Sequence, residues 1–173
     1  MIETRQIDDT DLHNVLSFTS DCYGMGFMNN KSLIAMKWEW CLENGAWFGT
    51  IENDRIISMS GCHKFKEGYR ALFRGAQIQT KPVNCLNRYQ MQSYCVADQL
   101  PLQIKYVEGA PIYITTNVSN DASGRMNRIH KSFVQMAKGG MVDYIGDEEI
   151  FYTNQSVWKL NKTKYFEIRN RYD

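Results

Sequence analysis

The sequence predicts a mixed α/β fold built around one sheet that has both antiparallel and parallel neighbours. The first observation is residues 111–116, a short run of β-branched and aromatic residues that indicates a buried strand. An Asn-rich loop and an amphipathic helix follow, so this stretch is half of a βαβ unit. The second observation is a meander of three strands between residues 46 and 80. Because helices alternate with strands only in part, the predicted sheet is mixed.

The amino-terminal part predicts one strand followed by two helices. Residues 2–7 form the strand, and two aspartates after it can cap a helix that starts at about Thr10. Two glycines within residues 23–27 end that helix. The second helix, residues 31–43, is apolar on most sides, so it is either buried or lines a pocket with one face.

The central part predicts the antiparallel meander and a short helix after it. The predicted elements are, in order, a strand at 46–52, a hairpin turn at 53–54, a strand at 55–65, a turn at 66–68 and a strand at 69–80. Residues 81–97 are polar and predict a loop. Asp98 can then cap a short helix that tolerates Pro101 in its first turn.

The carboxyl-terminal part predicts a helix and several strands. After the strand at 111–116, apolar residues recur at helical spacing as far as Phe133 and Met136, and two glycines at 139–140 end the helix. The remaining predicted elements are strands at 141–145 and 150–153 with a turn at 147–149, a strand at 156–160 and one more at 165–168. The predicted order is β-α-α-β-β-β-α-β-α-β-β.

Composition excludes several classes of function. The 173 residues suit a single domain, residues 1–173, and a net charge of +1 gives no reason to expect nucleic acid as a partner. Five cysteines, none at C-x-x-C spacing, argue against zinc and disulfides, and three scattered histidines argue against a metal site. No apolar run approaches the roughly 20 residues of a membrane span, and no signal peptide is recognisable. We therefore expect a cytoplasmic protein that has no membrane partner and carries reduced thiols.

The element order and one local stretch resemble the GNAT superfamily of acyl-CoA-dependent N-acyltransferases. The stretch runs from Ile112 through Thr116 to Asn117, continues with Asn120-Asp-Ala, and ends in a helix and a glycine stop. The resemblance covers almost the whole chain, from residue 2 to about 160. Residues 100–104 and 155–160 also resemble GNAT-like proteins encoded by tailed phages of marine bacteria.

The resemblance implies acetyl-CoA as cosubstrate and a mechanism for binding it. In the family, the central strand of the meander and the next parallel strand separate, and the amides of pantetheine pair with the exposed backbone. The diphosphate lies on backbone N–H groups at the start of the following helix. The residues expected to bind the cofactor here are Gln77, Ile78, Gln79, Thr80, Arg88, Asn117 and Asn120.

Two departures from the family pattern concern the cofactor loop and the proton donor. No glycine lies between Thr80 and Gln99, although the family's diphosphate loop usually carries them. Lys81, Asn87, Arg88 and Ser93 could bind phosphate by side chain, or they could form a solvated loop. The family's usual tyrosine is replaced by Asn127. The alternative proton donors are His130, Tyr144 and Tyr152, and Glu52 at a strand end is a candidate base; structural roles explain His130 and Glu52 as well.

The acceptor remains open between a small-molecule amine and a peptide. In the family, the segment between the first two helices recognises the acceptor, and here the aromatic and sulfur-containing side chains that could line it or pack in the core are Tyr23, Phe27, Met28, Trp38 and Trp40. The apolar terminal strands could also pair two chains into a homodimer. We predict an N-acyltransferase that transfers an acetyl or related acyl group to a primary amine. The alternative is a GNAT-like binding or accessory protein that has lost catalysis, which the glycine-free loop favours.

Overall fold

The structure is a computed structural model that describes residues 1–23, 30–73, 86–118, 128–150 and 152–172, except for the side chains of Tyr23, Asn30, Ser32, Ala35 and Arg88. Within these ranges, one sheet of seven strands has the order β1-β2-β3-β4-β5-β7-β6. The strands are β1 (Ile2–Ile7), β2 (Gly45–Glu52), β3 (Arg55–Phe65), β4 (Gly68–Phe73), β5 (Ile112–Asn117), β6 (Val142–Ile150) and β7 (Thr153–Leu160). The helices are α1 (Leu12–Tyr23), α2 (Asn30–Met36), α3 (Trp38–Asn44), α4 (Arg88–Tyr94), α5 (Leu100–Tyr106), α6 (Arg128–Lys138) and α7 (Lys162–Asn170).

The chain packs into two compact units. The first contains Met1–Lys64 and Ala71–Glu108, and the second contains Phe65–Arg70 and Gly109–Asp173. In the first unit, β2 and β3 are antiparallel, as predicted for the first two strands of the meander, and β1 pairs antiparallel with β2. Asn53 and Asp54 take φ angles of 51° and 64°, and two positive φ angles in a two-residue loop suit the right-handed twist of a hairpin. None of the described helices combines the length and apolar character of a membrane span.

The core of the first unit is apolar and centred on Trp47. Its ring stacks on Trp38 at a centroid distance of 5.9 Å, and its Nε1 donates a 3.1 Å hydrogen bond to the Trp38 carbonyl. A Cβ at Gly61 would lie 2.6 Å from the Trp47 ring, so the ring needs a glycine beside it. The other fully packed members of this core are Ile7, Val15, Phe18, Cys22, Met36, Cys41, Ile56, Met59, Leu72 and Met91.

The second predicted helix is in fact two helices. Lys37, between α2 and α3, takes the left-handed conformation with φ 61° and ψ 45°. The prediction of one continuous helix at 31–43 is therefore wrong at Lys37. The residue pattern did not indicate the break, because a left-handed conformation is costly for a residue other than glycine and is not expected at a lysine. Because of this break, α3 begins at Trp38, whose side chain is buried.

The prediction of a polar loop at residues 81–97 and of a cap at Asp98 is wrong in the described part. A capping box at Asn87 and Gln90 begins α4, and a π-helical turn at Cys95–Gln99 joins it to α5. Asp98 therefore lies inside a helical segment. The sequence did not indicate α4 because the buried face of this helical segment has no continuous apolar stripe. The residues at helical spacing on that face are Met91, Cys95, Gln99 and Gln103.

The second unit contains the predicted parallel pair. β4 and β5 pair in parallel at Tyr69–Ile112 and Arg70–Tyr113, and β5 pairs antiparallel with β7. The free backbone edge predicted at Gln77, Ile78, Gln79 and Thr80 lies outside the described residues, as does Asn120. Thus the parallel pair is confirmed, and the predicted separation beyond it stays a prediction.

Two carboxyl-terminal predictions are wrong. The acidic run at residues 147–149 lies within β6 and not in a turn; the described chain reverses at Tyr152, whose φ is 67°. Residues 165–168 belong to α7, because the Asn161 side chain accepts a 3.0 Å hydrogen bond from the Lys164 N–H and begins a helix. Cap chemistry here outweighs the strand propensity of the aromatic residues that follow.

Candidate functional site

Thr116 lies near the carboxyl end of β5, the end of a strand at which open α/β sheets bind ligands. Its side chain is buried, and its Oγ1 accepts a 2.8 Å hydrogen bond from Nε1 of Trp158 on β7. The two strands are antiparallel neighbours, with Thr116 paired to Ser156. The sheet register therefore fixes this pair of side chains.

His130 on α6 completes a hydrogen-bond chain. Its Nδ1 lies 2.8 Å from Thr116 Oγ1. An indole N–H can only donate, so Thr116 accepts from Trp158 and still has one hydroxyl hydrogen to give. No other acceptor for that hydrogen is found among the described residues. We therefore assign the hydrogen to the bond toward His130 Nδ1, which places the imidazole proton on Nε2.

Packing on Trp158 holds the His130 ring in place. His130 and Phe133 are three residues apart on α6 and so lie on the same helix face. Their rings lie 5.6 Å and 5.8 Å from the Trp158 ring. Phe133 is buried, so it anchors the helix, and His130 is only half-buried. An anchored ring with a partly accessible Nε2–H is suited to donate a hydrogen bond to a ligand.

Asp147 joins the same group of side chains through a β-bulge. The β6–β7 register shifts between Tyr144 and Gly146, where Gly146 takes a φ of 141°. The extra residue puts Tyr144 and Asp147, three positions apart, within reach of each other. Asp147 Oδ1 accepts hydrogen bonds from the Ser156 hydroxyl at 2.6 Å and the Tyr144 hydroxyl at 2.7 Å. The Tyr144 ring also lies 5.3 Å from that of Trp158.

These bonds set the charge state of the group. The Ser156 hydroxyl and then the Tyr144 hydroxyl hold the pKa of Asp147 below its usual value, because both stabilise the carboxylate. The same bond raises the pKa of Tyr144, whose proton is held by Asp147. The group thus brings an imidazole ring and a carboxylate into one cluster. We call it the Trp158 cluster, and its members are Thr116, His130, Tyr144, Asp147, Ser156 and Trp158.

Comparisons with known proteins give a structural match alone. No protein-family model and no curated protein sequence matches the chain. A GNAT-family acetyltransferase from Streptococcus pneumoniae aligns over 92% of this chain and 98% of its own, with a TM-score of 0.52 and 8% identity. An N-acetyltransferase of a ribosomal-protein alanine from Escherichia coli aligns over 92% and 93%, with a TM-score of 0.51 and 13% identity. An aminoglycoside N-acetyltransferase aligns over 96% and 99%, with a TM-score of 0.57 and 8% identity.

The chain has the GNAT fold. At these identities the likeness establishes the fold predicted from the sequence. The activity depends on the side chains of the site, which a shared fold does not specify. Two of the four candidate catalytic residues, His130 and Tyr144, come together in the Trp158 cluster. Tyr152 is 96% exposed in the β6–β7 turn, and Glu52 ends β2 in the first unit. For all four, a role in catalysis stays a prediction.

Sequence reasoning missed four members of the cluster. Asp147 was assigned to a turn because three acids in succession are typical of one. The alternation of Ser156 and Trp158 on β7 was a usable signal, since both residues lie on one face of a strand. Thr116 was recognised as a strand residue, but its side-chain partner is 14 residues away in sequence.

The start of α4 bears on the diphosphate position expected for the GNAT fold. The Gln90 N–H donates a 2.9 Å hydrogen bond to Asn87 Oδ1, and the Asn87 N–H donates one of 3.0 Å to Gln90 Oε1. A phosphate at this helix start must therefore compete with Asn87 for the Gln90 N–H. Ser93 donates its hydroxyl to the Tyr89 carbonyl, and the Arg88 side chain lies outside the described residues. Asn117 is exposed at the end of β5.

The first unit contains a cavity beside the start of α1 and the junction of α2 and α3. Trp38 is buried, in agreement with the alternative that the tryptophans pack in the core. Trp40 is partly exposed, and its ring meets the His63 ring edge to face at a centroid distance of 4.5 Å. Phe27, Met28 and the Tyr23 side chain lie outside the described residues. The cavity has a volume of about 590 Å³, enough for a small molecule, and is lined by Asp9, Leu12, Leu33, Ile34, Lys37, Trp38, Glu39 and Trp40.

Within the described ranges, no three side chains of His, Cys, Asp or Glu are arranged to hold a metal ion. The Trp158 cluster itself can support hydrogen-bond donation from His130 and charge recognition by Asp147.

Proposed function

We propose that this protein is an N-acyltransferase that transfers an acetyl or related acyl group from acyl-CoA to a primary amine. The GNAT fold supports the reaction class, because three acetyltransferases share it over more than nine-tenths of this chain. The acceptor is a small-molecule amine or a peptide amino group.

The observation that carries the proposal is the position of His130 and the 2.8 Å contact between its Nδ1 and Thr116 Oγ1. The reaction forms a C–N bond, breaks the thioester C–S bond, and moves one proton overall from the amine nitrogen to the departing sulfur. His130 Nδ1 is occupied by Thr116, which leaves Nε2–H as the donor near the carboxyl end of β5. We assign His130 Nε2–H the role of donating a hydrogen bond to the departing sulfur, which stabilises the developing thiolate in place of the missing tyrosine. The amine nitrogen releases its proton to solvent, and the thiolate takes up one proton from solvent.

Tyr144 is less suited to that role. Its hydroxyl already donates to Asp147 at 2.7 Å, and that bond raises its pKa, so it gives up its proton less readily than a free tyrosine. We propose that Tyr144 positions the other members of the Trp158 cluster and that His130 is the hydrogen-bond donor to the departing sulfur.

Thermal unfolding with acetyl-CoA tests the proposal. A ligand at about 100 times its Kd stabilises a protein by about 2.7 kcal/mol, and each kcal/mol raises Tm by about 2–4 °C at this chain length. We expect acetyl-CoA at millimolar concentration to raise Tm by about 5–10 °C, while ATP at the same concentration leaves it nearly unchanged. Release of CoA thiol in the presence of a panel of primary amines then identifies the acceptor.

An unchanged Tm with acetyl-CoA overturns the acyltransferase proposal. In that case the accessory-protein alternative applies, which the absence of glycine between Thr80 and Gln99 favours.

A further inference from the structure

Asp147 differs from a neighbouring acid on the same strand. Glu148 forms an ion pair with Lys66, with 2.6 Å between Oε2 and Nζ. Asp147 is exposed and is hydrogen-bonded by two neutral hydroxyls, both of which end on Oδ1. Among the described residues, none donates to Asp147 Oδ2. The carboxylate is thus fixed in orientation by two donors and keeps one oxygen for a further donor.

The two hydroxyl donors also decide what this carboxylate can do. They lower the pKa of Asp147, so it is ionised at neutral pH and is a weaker base than an ordinary carboxylate. A group with these properties is a poor proton acceptor for catalysis. It is better suited to bind a cation.

The Tyr144 ring provides a second surface for a cation. The side chain is 54% exposed, and its contact with Trp158 and its bond to Asp147 hold the ring in one place. The face of an aromatic ring attracts an ammonium group, and the attraction adds to that of an adjacent carboxylate. Asp147 and Tyr144 together therefore match an organic cation better than a bare metal ion.

We propose that Asp147 and Tyr144 bind a cationic group of the acceptor, and that the acceptor therefore carries at least two basic groups. The inference rests on the proposed acyltransferase function. The bound cation is a second group, because a carboxylate paired with the reacting ammonium would hold the proton on the nitrogen that must lose it before attack. The acceptor class is thus a diamine, a polyamine or a peptide with a basic side chain near its reacting amine.

A binding titration tests the cation site without catalysis. The probe is 1,4-diaminobutane, with neutral 1,4-butanediol as its isostere, followed through the NMR signals of the Tyr144 ring and the Trp158 indole N–H. We expect the wild-type protein to bind the diamine and not the diol. Asp147→Asn should weaken diamine binding about fivefold, the effect of removing one partner of an exposed ion pair.

A matched control is Glu149→Gln, which removes an exposed charge two residues away on the same strand. It should change diamine binding by less than twofold. Ser156→Ala keeps the Asp147 charge but removes a donor to Oδ1, so it should weaken binding less than Asp147→Asn does. Equal losses of diamine binding in Asp147→Asn and Glu149→Gln overturn the proposal, because a general charge effect would then explain the binding. No loss in either variant also overturns it, because Asp147 would then not contribute to diamine binding.

The two proposals fail in different ways. Acetyl-CoA that raises Tm in both the wild type and Asp147→Asn, with no difference in diamine binding, overturns the cation site and leaves the acyltransferase standing. Diamine binding that depends on Asp147, without any effect of acetyl-CoA on Tm, overturns the acyltransferase and with it the assignment of the cation as an acceptor.

Discussion

The Ser60 hydroxyl donates a 2.5 Å hydrogen bond to Gln99 Oε1, and both side chains are fully buried in the first unit. Gln99 Nε2 donates in turn to Thr50 Oγ1 at 2.9 Å and to Ser58 Oγ at 3.2 Å. One amide side chain therefore satisfies three hydroxyls on one face of β2 and β3. Removing one member of such a buried network takes a hydrogen bond from each of its partners.

Gln99→Leu should lower the free energy of unfolding by about 2–4 kcal/mol, because it removes bonds to three buried hydroxyls at once. Gln103→Leu is the matched control on the same helix. Gln103 Nε2 donates to Ser60 Oγ at 2.9 Å, but its Oε1 is buried without a hydrogen-bond partner, so leucine also removes a destabilising group. We expect a cost of about 1 kcal/mol or less there. Chemical denaturation measures both, and a larger loss for Gln103→Leu would contradict the network.

The tautomer of His130 is directly measurable. Long-range ¹H–¹⁵N correlation spectra should show the wild-type imidazole protonated on Nε2. Thr116→Val removes the hydroxyl that donates to Nδ1, so the two tautomers should become mixed. Thr115→Val is the control, since Thr115 Oγ1 accepts from Arg70 Nε and has no bond to His130. A wild-type His130 protonated on Nδ1 would refute the assigned direction of the hydrogen bond.

Once an acceptor is found, His130→Ala should reduce kcat by roughly a hundredfold, the lower end of what one hydrogen-bond donor to a developing negative charge contributes. The Kd of acetyl-CoA should change little, because the imidazole acts on the departing sulfur. His13→Ala, on an exposed part of α1, is expected to leave kcat unchanged. If His130→Ala retains full kcat, His130 is a packing residue of the Trp158 cluster.

The ion pair between Arg5 and Asp11 should make stability depend on pH. The Arg5 guanidinium donates to both Asp11 oxygens, at 2.7 Å and 3.0 Å, and chiefly this bond lowers the pKa of Asp11. A folded-state pKa below the unfolded value of about 3.9 means that the stabilisation is present above that pH and is lost as pH falls through the folded pKa.

Asp11→Asn should therefore cost about 1 kcal/mol near neutral pH and less below about pH 4, since Arg5 is partly exposed. Denaturation curves across this pH range measure the difference. Arg5→Met should reproduce the same trend. A cost that does not decline toward acid pH would show that Asp11 acts mainly through its hydrogen bond to the Asp8 N–H.

The buried thiols should resist alkylation in the native protein. Burial raises the pKa of Cys62 to about 12 and that of Cys95 to about 11, so the reactive thiolate is scarce at mildly alkaline pH. Cys22 and Cys41 are also buried. Mass spectrometry after brief treatment with iodoacetamide should find these four unmodified, whereas all five cysteines react in denaturant. Rapid native labelling of Cys62 or Cys95 would show that the first unit opens locally.

Several elements follow from local sequence alone. The strand at residues 2–7, the turn at Asn53 and Asp54, and the strand and helix on either side of the Asn-rich loop were all predicted close to their observed bounds. Each depends on side-chain alternation, a cap or a turn, which are interactions between residues a few positions apart. For the same reason the GNAT-like element order was recognisable before any coordinates.

Other elements depend on partners distant in sequence. The helix bearing Gln99 has an amide-rich inner face that is stable only because hydroxyls on β2 and β3 satisfy it, and no local pattern indicates them. The bulge at Gly146 changes which residues of β6 share a face, so it brings Asp147 to Tyr144 and Ser156. Sequence by itself determined most of the strands and the strand–loop–helix stretch, but it did not show α4, the break at Lys37 or the helix α7. The tertiary structure decided which polar side chains meet, because hydrogen bonds between strands and helices join residues that the chain places as many as 49 positions apart.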